Sequence, residues 1–181
     1  MTGLLPLFRR FRAHRRGSVA VEMALCFPII GFVSLNIMDL CVYIFSRMQT
    51  ELAAQAAVGK VRNLCPDAKL PATYPIGNCS ATLSTDMAAA AQATSLGSSV
   101  TLNTPTEAYY CADDSGGLQL VAAIDATPPA DCSTVVTGST QAPGDYISVT
   151  ASYTYVPFAP GLTIMSAMST NIQQTAWMRL K

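Results

Sequence analysis

A single carboxylate, Glu22, stands near the start of an apolar stretch, four residues after Ser18. Insertion of an unpaired charge deep in a bilayer costs about 2.5–3.5 kcal/mol of free energy. A carboxylate there is therefore expected to pair with a cation. Cleavage of the peptide bond between Gly17 and Ser18 would create one, because Ser18 would then carry a free α-amine. In a helix this amine and Glu22 lie on the same face, at positions i and i+4. If the chain were cut there, the spacing would allow the new amine to neutralise the Glu22 carboxylate in lipid.

Glu22 also has a simpler explanation that needs no processing. A carboxylate in the first turns of a membrane helix lies near the water interface and near the positive end of the helix dipole. That location stabilises it by about 0.3–1 kcal/mol. The residue types alone leave both explanations open.

The cysteines divide by location. Cys26 and Cys41 lie within the apolar stretch, where free cysteine behaves as a small hydrophobic residue. The four that follow the stretch are Cys65, Cys79, Cys111 and Cys132. An even number in an oxidising compartment indicates disulfides, and three pairings are possible. Proximity favours Cys65–Cys79 and Cys111–Cys132, since each pair brackets a loop rich in small or turn-forming residues. None of the spacings is C-x-x-C, which argues against a zinc site.

Residues that could form a catalytic centre are scarce. The only histidine, His14, lies in a basic N-terminal segment, and no nucleotide-binding glycine motif occurs. The run from Asp113 to Gly117 lacks the alternating acids and terminal Glu of a calcium loop, so a solvated turn is the better interpretation. We therefore expect no enzyme activity, no cofactor and no metal site.

The charges are distributed unevenly along a chain of zero formal net charge. The 164 residues that follow position 17 hold 6 basic and 11 acidic groups, which gives them a net side-chain charge of −5. The first 17 residues hold five arginines and no acid: Arg9, Arg10, Arg12, Arg15 and Arg16. Phe8 and Phe11 are too few to form a base-stacking surface, so nucleic acid is not expected as a partner. Arginines beside an apolar stretch instead predict a membrane helix with its N-terminus in the cytoplasm.

The apolar stretch runs from Ser18 to Phe45 and has 28 residues. The part between Met23 and Met38 contains no charged residue. As a helix it would be about 42 Å long, more than the ~30 Å hydrocarbon layer. A cleavable secretory signal has an apolar core of only about 7–15 residues. An A-x-A sequence at 54–56 lies well beyond the stretch. The stretch is therefore expected to be an anchor that spans the membrane once, and not a secretory signal removed by signal peptidase.

The helix is expected to continue past the membrane, because Gln49–Leu64 is rich in good helix formers. Pro66 cannot continue a helix, so the helix should end near Asn63 or Leu64. One face of this extension carries mostly small residues at helical spacing. Its members are Met48, Leu52, Ala56 and Gly59.

The remaining residues predict one short helix and several strands. The helix is expected over Thr85–Leu96, capped by Ser84 or Thr85 and closed by Gly97. Apolar–polar alternation predicts strands near 100–103, 109–110, 118–123, 146–156 and 171–180. We expect an antiparallel sheet whose apolar face packs on the alanine-rich helices. The predicted fold class is α+β, with a leader over 1–17, a transmembrane and extended helix over 18–64, and an extracytoplasmic domain over 65–181.

Several of these segments resemble a known family. Arg15-Arg16-Gly17 followed by SVAVEMAL looks like the processing site of type IV pilin-like proteins, with Gly17 before the cut and Glu22 fifth in the mature chain. The longer segment RRGSVAVEMALCFPII is similar to TadE-like minor pilins, or pseudopilins, of tight-adherence (type IVc) pili. The family's proline corresponds to Pro28. The strand sequence ISVTASYTYVPF, a Pro-Gly turn and a closing strand also look like that family's C-terminal end.

Three residues depart from a plain version of the pattern. Met23 stands where the family usually has an aromatic residue. Asn36 and Asp39 interrupt the outer part of the span, and Asp39 is expected to reach the outer interface.

The resemblance implies a type IV pilin-like fold and a role in pilus assembly. It implies cleavage between Gly17 and Ser18 by a prepilin peptidase and docking of the subunit through Glu22. The expected partners are the membrane, the prepilin peptidase, other pilins and pseudopilins of the same pilus, and the inner-membrane assembly platform. The expected location is the bacterial inner membrane, with possible incorporation in the pilus. The alternative is an uncleaved single-span membrane protein with an extracytoplasmic binding domain.

Overall fold

A computed structural model describes residues 15–181 apart from positions 77 and 169, with side chains from Val19 onward in the first helix. The predicted leader over 1–17, with its arginines and His14, lies largely outside the described residues. The described chain contains two α-helices, five strands and three short 3₁₀ turns. The helices are α1 (Arg15–Leu64) and α2 (Leu83–Gln92), and the strands are β1 (Val100–Leu102), β2 (Thr106–Ala112), β3 (Leu118–Ala123), β4 (Gly144–Thr154) and β5 (Asn171–Arg179).

Helix α1 has 50 residues and continues through Pro28. It ends at Leu64, as predicted from Pro66. Helix α2 begins at Leu83 and ends at Gln92, so the predicted bounds of 85–96 were wrong at both ends. The N-cap is Thr82 and not Ser84 or Thr85, and the Thr82 hydroxyl donates to Asp86 at 2.8 Å. The chain after Gln92 turns through a short 3₁₀ segment before β1 instead of extending the helix to residue 96.

The five strands form one antiparallel sheet with β4 at its centre. Strand β5 pairs with nearly the full length of one edge of β4. The other edge is shared, because β2 pairs with its first half and β1 with its second half. Strand β3 forms a hairpin with β2 at the outside of the sheet. The predicted antiparallel sheet and the α+β class are confirmed.

The chain separates into two compact units. The anchor unit consists of the described residues up to Val42 together with Pro157–Met168. The sheet unit consists of Tyr43–Val156 together with Ser169–Lys181.

The core of the sheet unit lies between the buried face of the sheet and two helices. Alternate residues of β4 point into it, and α2 contributes one face at four-residue spacing. Burial of each Ile, Val or Met side chain stabilises the fold by about 1.5–3 kcal/mol. The core side chains from the three elements are Ala53, Ala54, Ala57, Val58 and Val61 of α1, Leu83, Met87 and Ala91 of α2, and Ile147, Val149 and Ala151 of β4. The predicted packing of the sheet on alanine-rich helices is therefore present.

The face of α1 that meets the sheet is not the small-residue face singled out from the sequence. Met48 and Leu52 are about half exposed, and Ala56 is exposed as well. The buried positions lie on the opposite side of the helix, among them Ala57 and Val61. Alanines occur on both sides of this segment, so the spacing of small residues could not choose between the two faces.

Candidate functional site: the anchor helix and its loop

The predicted processing residues lie at the N-terminal end of α1. The Gly17–Ser18 peptide bond falls within the first turn of the helix, which begins at Arg15. The first amide N–H groups of a helix have no acceptor within the helix. Glu22 follows one turn later, with its side chain exposed. Its position at i+4 from Ser18 places both residues on one face of α1.

Among the described residues, one helix is long and apolar enough to cross a membrane, and it covers Val19–Leu64. Only 6% of its most apolar window is buried. Large apolar side chains are exposed all along this part of the helix, for example Phe27, Ile30 and Ile37. A helix that is apolar on every side and covered by little protein is typical of a membrane span.

Two polar residues of the apolar stretch, Asn36 and Asp39, are bound by the segment Pro157–Met168 of the anchor unit. We call this segment the anchor loop. The side chain of Asp39 is fully buried. Its Oδ1 accepts the Phe158 amide N–H at 2.9 Å, and its Oδ2 accepts the Thr163 hydroxyl. The carboxylate is thus held by two donors from the loop.

Asn36 is bound on both sides of its amide group. Its Oδ1 accepts the Ile164 amide N–H at 2.9 Å, and its Nδ2 donates to the Phe32 carbonyl oxygen at 2.9 Å. A second contact, one turn of helix before Asp39, therefore fixes the anchor loop beside α1. The sequence marked Asn36 and Asp39 as interruptions of the span, but it gave no signal that residues more than 115 positions later bind them.

The four cysteines that follow the span form two disulfides in the sheet unit. Cys65 is joined to Cys79, and Cys111 to Cys132. These are the pairs favoured by the loops that they enclose. The other two cysteines, Cys26 and Cys41, are free thiols exposed on α1.

Two buried acidic residues, Glu107 and Asp145, lie where β2 pairs with β4. Both carboxylate oxygens of Glu107 accept hydrogen bonds from the Cys65–Cys79 loop: the Ala72 amide donates at 2.8 Å, and the Thr73 amide and hydroxyl each at 2.6 Å. Asp145 of β4 lies next to Glu107 and is also buried. Burial and the adjacent Glu107 carboxylate raise the pKa of Asp145 to about 7. No sequence pattern indicates this pair, because strand pairing alone brings the two residues together.

The run from Asp113 to Gly117 forms the turn between β2 and β3. Asp113 accepts hydrogen bonds from the Ser115 hydroxyl, the Gln119 amide and the Gly117 backbone, and these bonds lower the pKa of Asp113 to about 2. The carboxylate oxygens of Asp113 therefore stabilise the turn between β2 and β3. In the part of the chain that the structure describes, no group of three or more His, Cys, Asp or Glu residues is placed to hold a metal ion.

The fold and the apolar helix together fit a single-pass membrane protein that carries a small α+β domain. A family model described as TadE-like protein matches residues 17–58. The match begins at Gly17, contains Glu22 and covers the apolar stretch, so it confirms the TadE-like resemblance of this part of the chain. The search of curated proteins and the search of solved structures each gave no match.

Proposed function

We propose that this protein is a TadE-like pseudopilin that takes part in assembly of a tight-adherence pilus. It is made as a precursor with a basic leader in the cytoplasm and is cut between Gly17 and Ser18 by a prepilin peptidase. Helix α1 then holds it in the bacterial inner membrane, with the sheet unit outside the cytoplasm. The observation that carries the proposal is the family match over 17–58, which includes both the cleavage bond and Glu22.

The position of the cleavage bond supports processing. A protease must bind the peptide in an extended form, and the first turn of a helix unwinds at low cost because its N–H groups lack helix partners. Gly17 has no side chain, so a protease pocket can approach its backbone closely. The leader arginines keep the bond at the cytoplasmic face.

Glu22 is proposed to act in subunit docking after the cut. The new Ser18 amine, from the same chain or a neighbouring one, pairs with the carboxylate in the low dielectric of the membrane. Desolvation offsets much of the attraction between such charges. The pairing therefore contributes mainly to the specificity of docking and less to stability.

The test is N-terminal sequencing of protein purified from membranes. A chain beginning at Ser18 is expected, and a chain that keeps its leader would favour the uncleaved single-span alternative with a binding domain. Gly17→Leu should block processing, while Gly17→Ala should slow it mildly. Gly31→Leu is the matched control, because it adds the same bulk to the same helix where a Cβ meets nothing within 4 Å.

Docking is tested separately from processing. Glu22→Leu should still be inserted and cleaved but should fail to co-purify with the assembly platform and the other pilins. Glu51→Leu removes an exposed acid from the same helix and serves as the control. Normal assembly of a cleaved Glu22→Leu protein would leave processing intact and would refute the docking role.

A further inference from the structure

The anchor loop, Pro157–Met168, has a polar side turned to α1 and an apolar side that the described residues leave largely exposed. Its polar contacts are those made to Asn36 and Asp39. Its large exposed side chains are all apolar. They are Phe158, Leu162, Ile164 and Met168, each at least half exposed. The segment contains no charged residue. An exposed apolar patch of this kind marks a contact with lipid or with another protein.

The contacts within the anchor unit set the depth of the loop relative to the bilayer. Glu22 and Asp39 bound the uncharged part of α1 and are 17 residues apart, about 26 Å along a helix. The hydrocarbon layer is ~30 Å thick, so with Glu22 near one interface Asp39 lies near the other. The anchor loop is hydrogen-bonded to α1 at this level. Helix residues at the same level, Ile37 and Met38, are exposed and apolar too.

The backbone of the loop is also suited to an apolar environment. Unsatisfied backbone polar groups cost several kcal/mol in hydrocarbon, so a loop at the boundary of the hydrocarbon layer needs partners for them. Several amide N–H groups of the loop are bound within it: Leu162 and Thr163 donate to the Ala159 carbonyl, and Gly161 donates to the Ser166 hydroxyl. The Phe158 and Ile164 amides are bound by α1. Pro157 and Pro160 have no amide N–H to satisfy.

We propose that the anchor loop is a second membrane-binding element, which inserts its apolar side chains into the leaflet far from Glu22. These side chains contact lipid at the level where the acyl chains meet the headgroups. The loop covers the one acid in the outer part of the span and presents an apolar surface in its place. Helix and loop together then hold the protein at a fixed depth. This inference does not depend on cleavage at Gly17 or on a pilus.

The proposal can be tested with the full chain reconstituted in phosphatidylcholine–phosphatidylglycerol vesicles. Trp177, the only tryptophan, is first replaced by phenylalanine. A single tryptophan is then placed at position 158, 162 or 164, all exposed sites at which the core is not disturbed. Leu120→Trp, on an exposed site of β3, is the matched control. Formation of both disulfides, checked by mass spectrometry, shows that each variant has folded.

Tryptophans in the loop should emit at shorter wavelength than the control and be shielded from aqueous iodide. They should lose most of their fluorescence in vesicles whose lipids are brominated high on the acyl chain. Emission typical of water, with iodide quenching at all three positions, would overturn the proposal. Shielding from iodide without quenching by brominated lipid would mean that a second copy of the chain covers the loop, and would overturn it as well.

Discussion

Glu107 of β2 and Asp145 of β4 place two carboxyl groups against each other in the interior of the sheet unit. Oδ1 of Asp145 is buried without a conventional donor. Two carboxyl groups can share a hydrogen bond only if one of them carries a proton. The raised pKa of Asp145, about 7, is consistent with a proton held between them. Glu107 in turn accepts hydrogen bonds from the backbone of the Cys65–Cys79 loop.

The carboxyl pair should make stability depend on pH. The pKa of Asp145 rises from 3.8 to about 7 on folding, so between these values the folded state holds a proton that the unfolded state has lost. The free energy of unfolding should therefore fall as pH rises from about 4 to about 7. One pKa unit corresponds to ~1.4 kcal/mol, so the shift sets an upper limit of about 4 kcal/mol on the loss, and solvent screening of the incompletely buried carboxyl reduces the loss below that limit.

Urea midpoints of the full chain in detergent, followed by Trp177 fluorescence, measure this dependence. Asp145→Asn keeps a donor for Glu107 and removes the titrating proton, so its midpoint should be nearly constant over the same range. Asp125→Asn removes an exposed acid and is the control. An unchanged slope in Asp145→Asn would show that another group is responsible.

Asp39 should be required for the position of the anchor loop. Asp39→Ala removes the acceptor of the Phe158 amide, and loss of such a buried bond costs about 1–3 kcal/mol. Hydrogen exchange at that amide, measured by NMR in micelles, should accelerate about tenfold or more. Asp39→Asn keeps one acceptor oxygen and should have a smaller effect. Asn36→Ala should accelerate exchange at Ile164 and leave Phe158 slow; the reverse pattern would contradict the contacts described.

The two sides of α1 in the sheet unit should respond oppositely to added bulk. Ala57 is fully buried against the sheet, whereas Ala56 is exposed. Ala57→Leu should lower the free energy of unfolding by about 1–3 kcal/mol through overpacking. Ala56→Leu should change it by less than about 0.5 kcal/mol. Thermal melts of the two variants decide the matter, and equal losses would mean that α1 meets the sheet through a different face.

The disulfide Cys111–Cys132 should contribute to stability by restricting the unfolded chain. It closes a loop with a sequence separation of 21, which is worth about 3 kcal/mol in the chain-entropy model. Replacement of both cysteines by serine should lower the melting temperature, whereas Cys26→Ala on the exposed side of α1 should not. Mass spectrometry of non-reduced peptides tests the pairing, and a peptide joining Cys65 to Cys132 would contradict it.

Local patterns predicted the long helix, the strand positions and the disulfide pairs well. Pro66 ended α1 at Leu64 as expected, and the apolar–polar alternation located β4, because each signal lies in the few residues concerned. The bounds of α2 were less well predicted, since Ser84, Thr85 and Thr82 are all suitable caps.

The contacts that join distant residues could not be read from the sequence. Asp39 and Thr163 are 124 residues apart, and no periodicity links them. The neighbours of Glu107 likewise follow from the order of the strands, which alternation does not specify. The exposed and buried sides of α1 carry similar small residues, so only the position of the sheet distinguishes Ala56 from Ala57.

The central position of β4 has a consequence for the order of events during folding. β4 and β5 follow every other strand in the chain, so β1 has no sheet partner and β2 has only β3 until β4 arrives. About 90 residues separate the end of α1 from the end of β4. At roughly 5–20 residues per second of synthesis, the alanine face of α1 stays uncovered for several seconds or more. The long helix is therefore complete well before the sheet that packs on its C-terminal part can close, and the two elements mature one after the other.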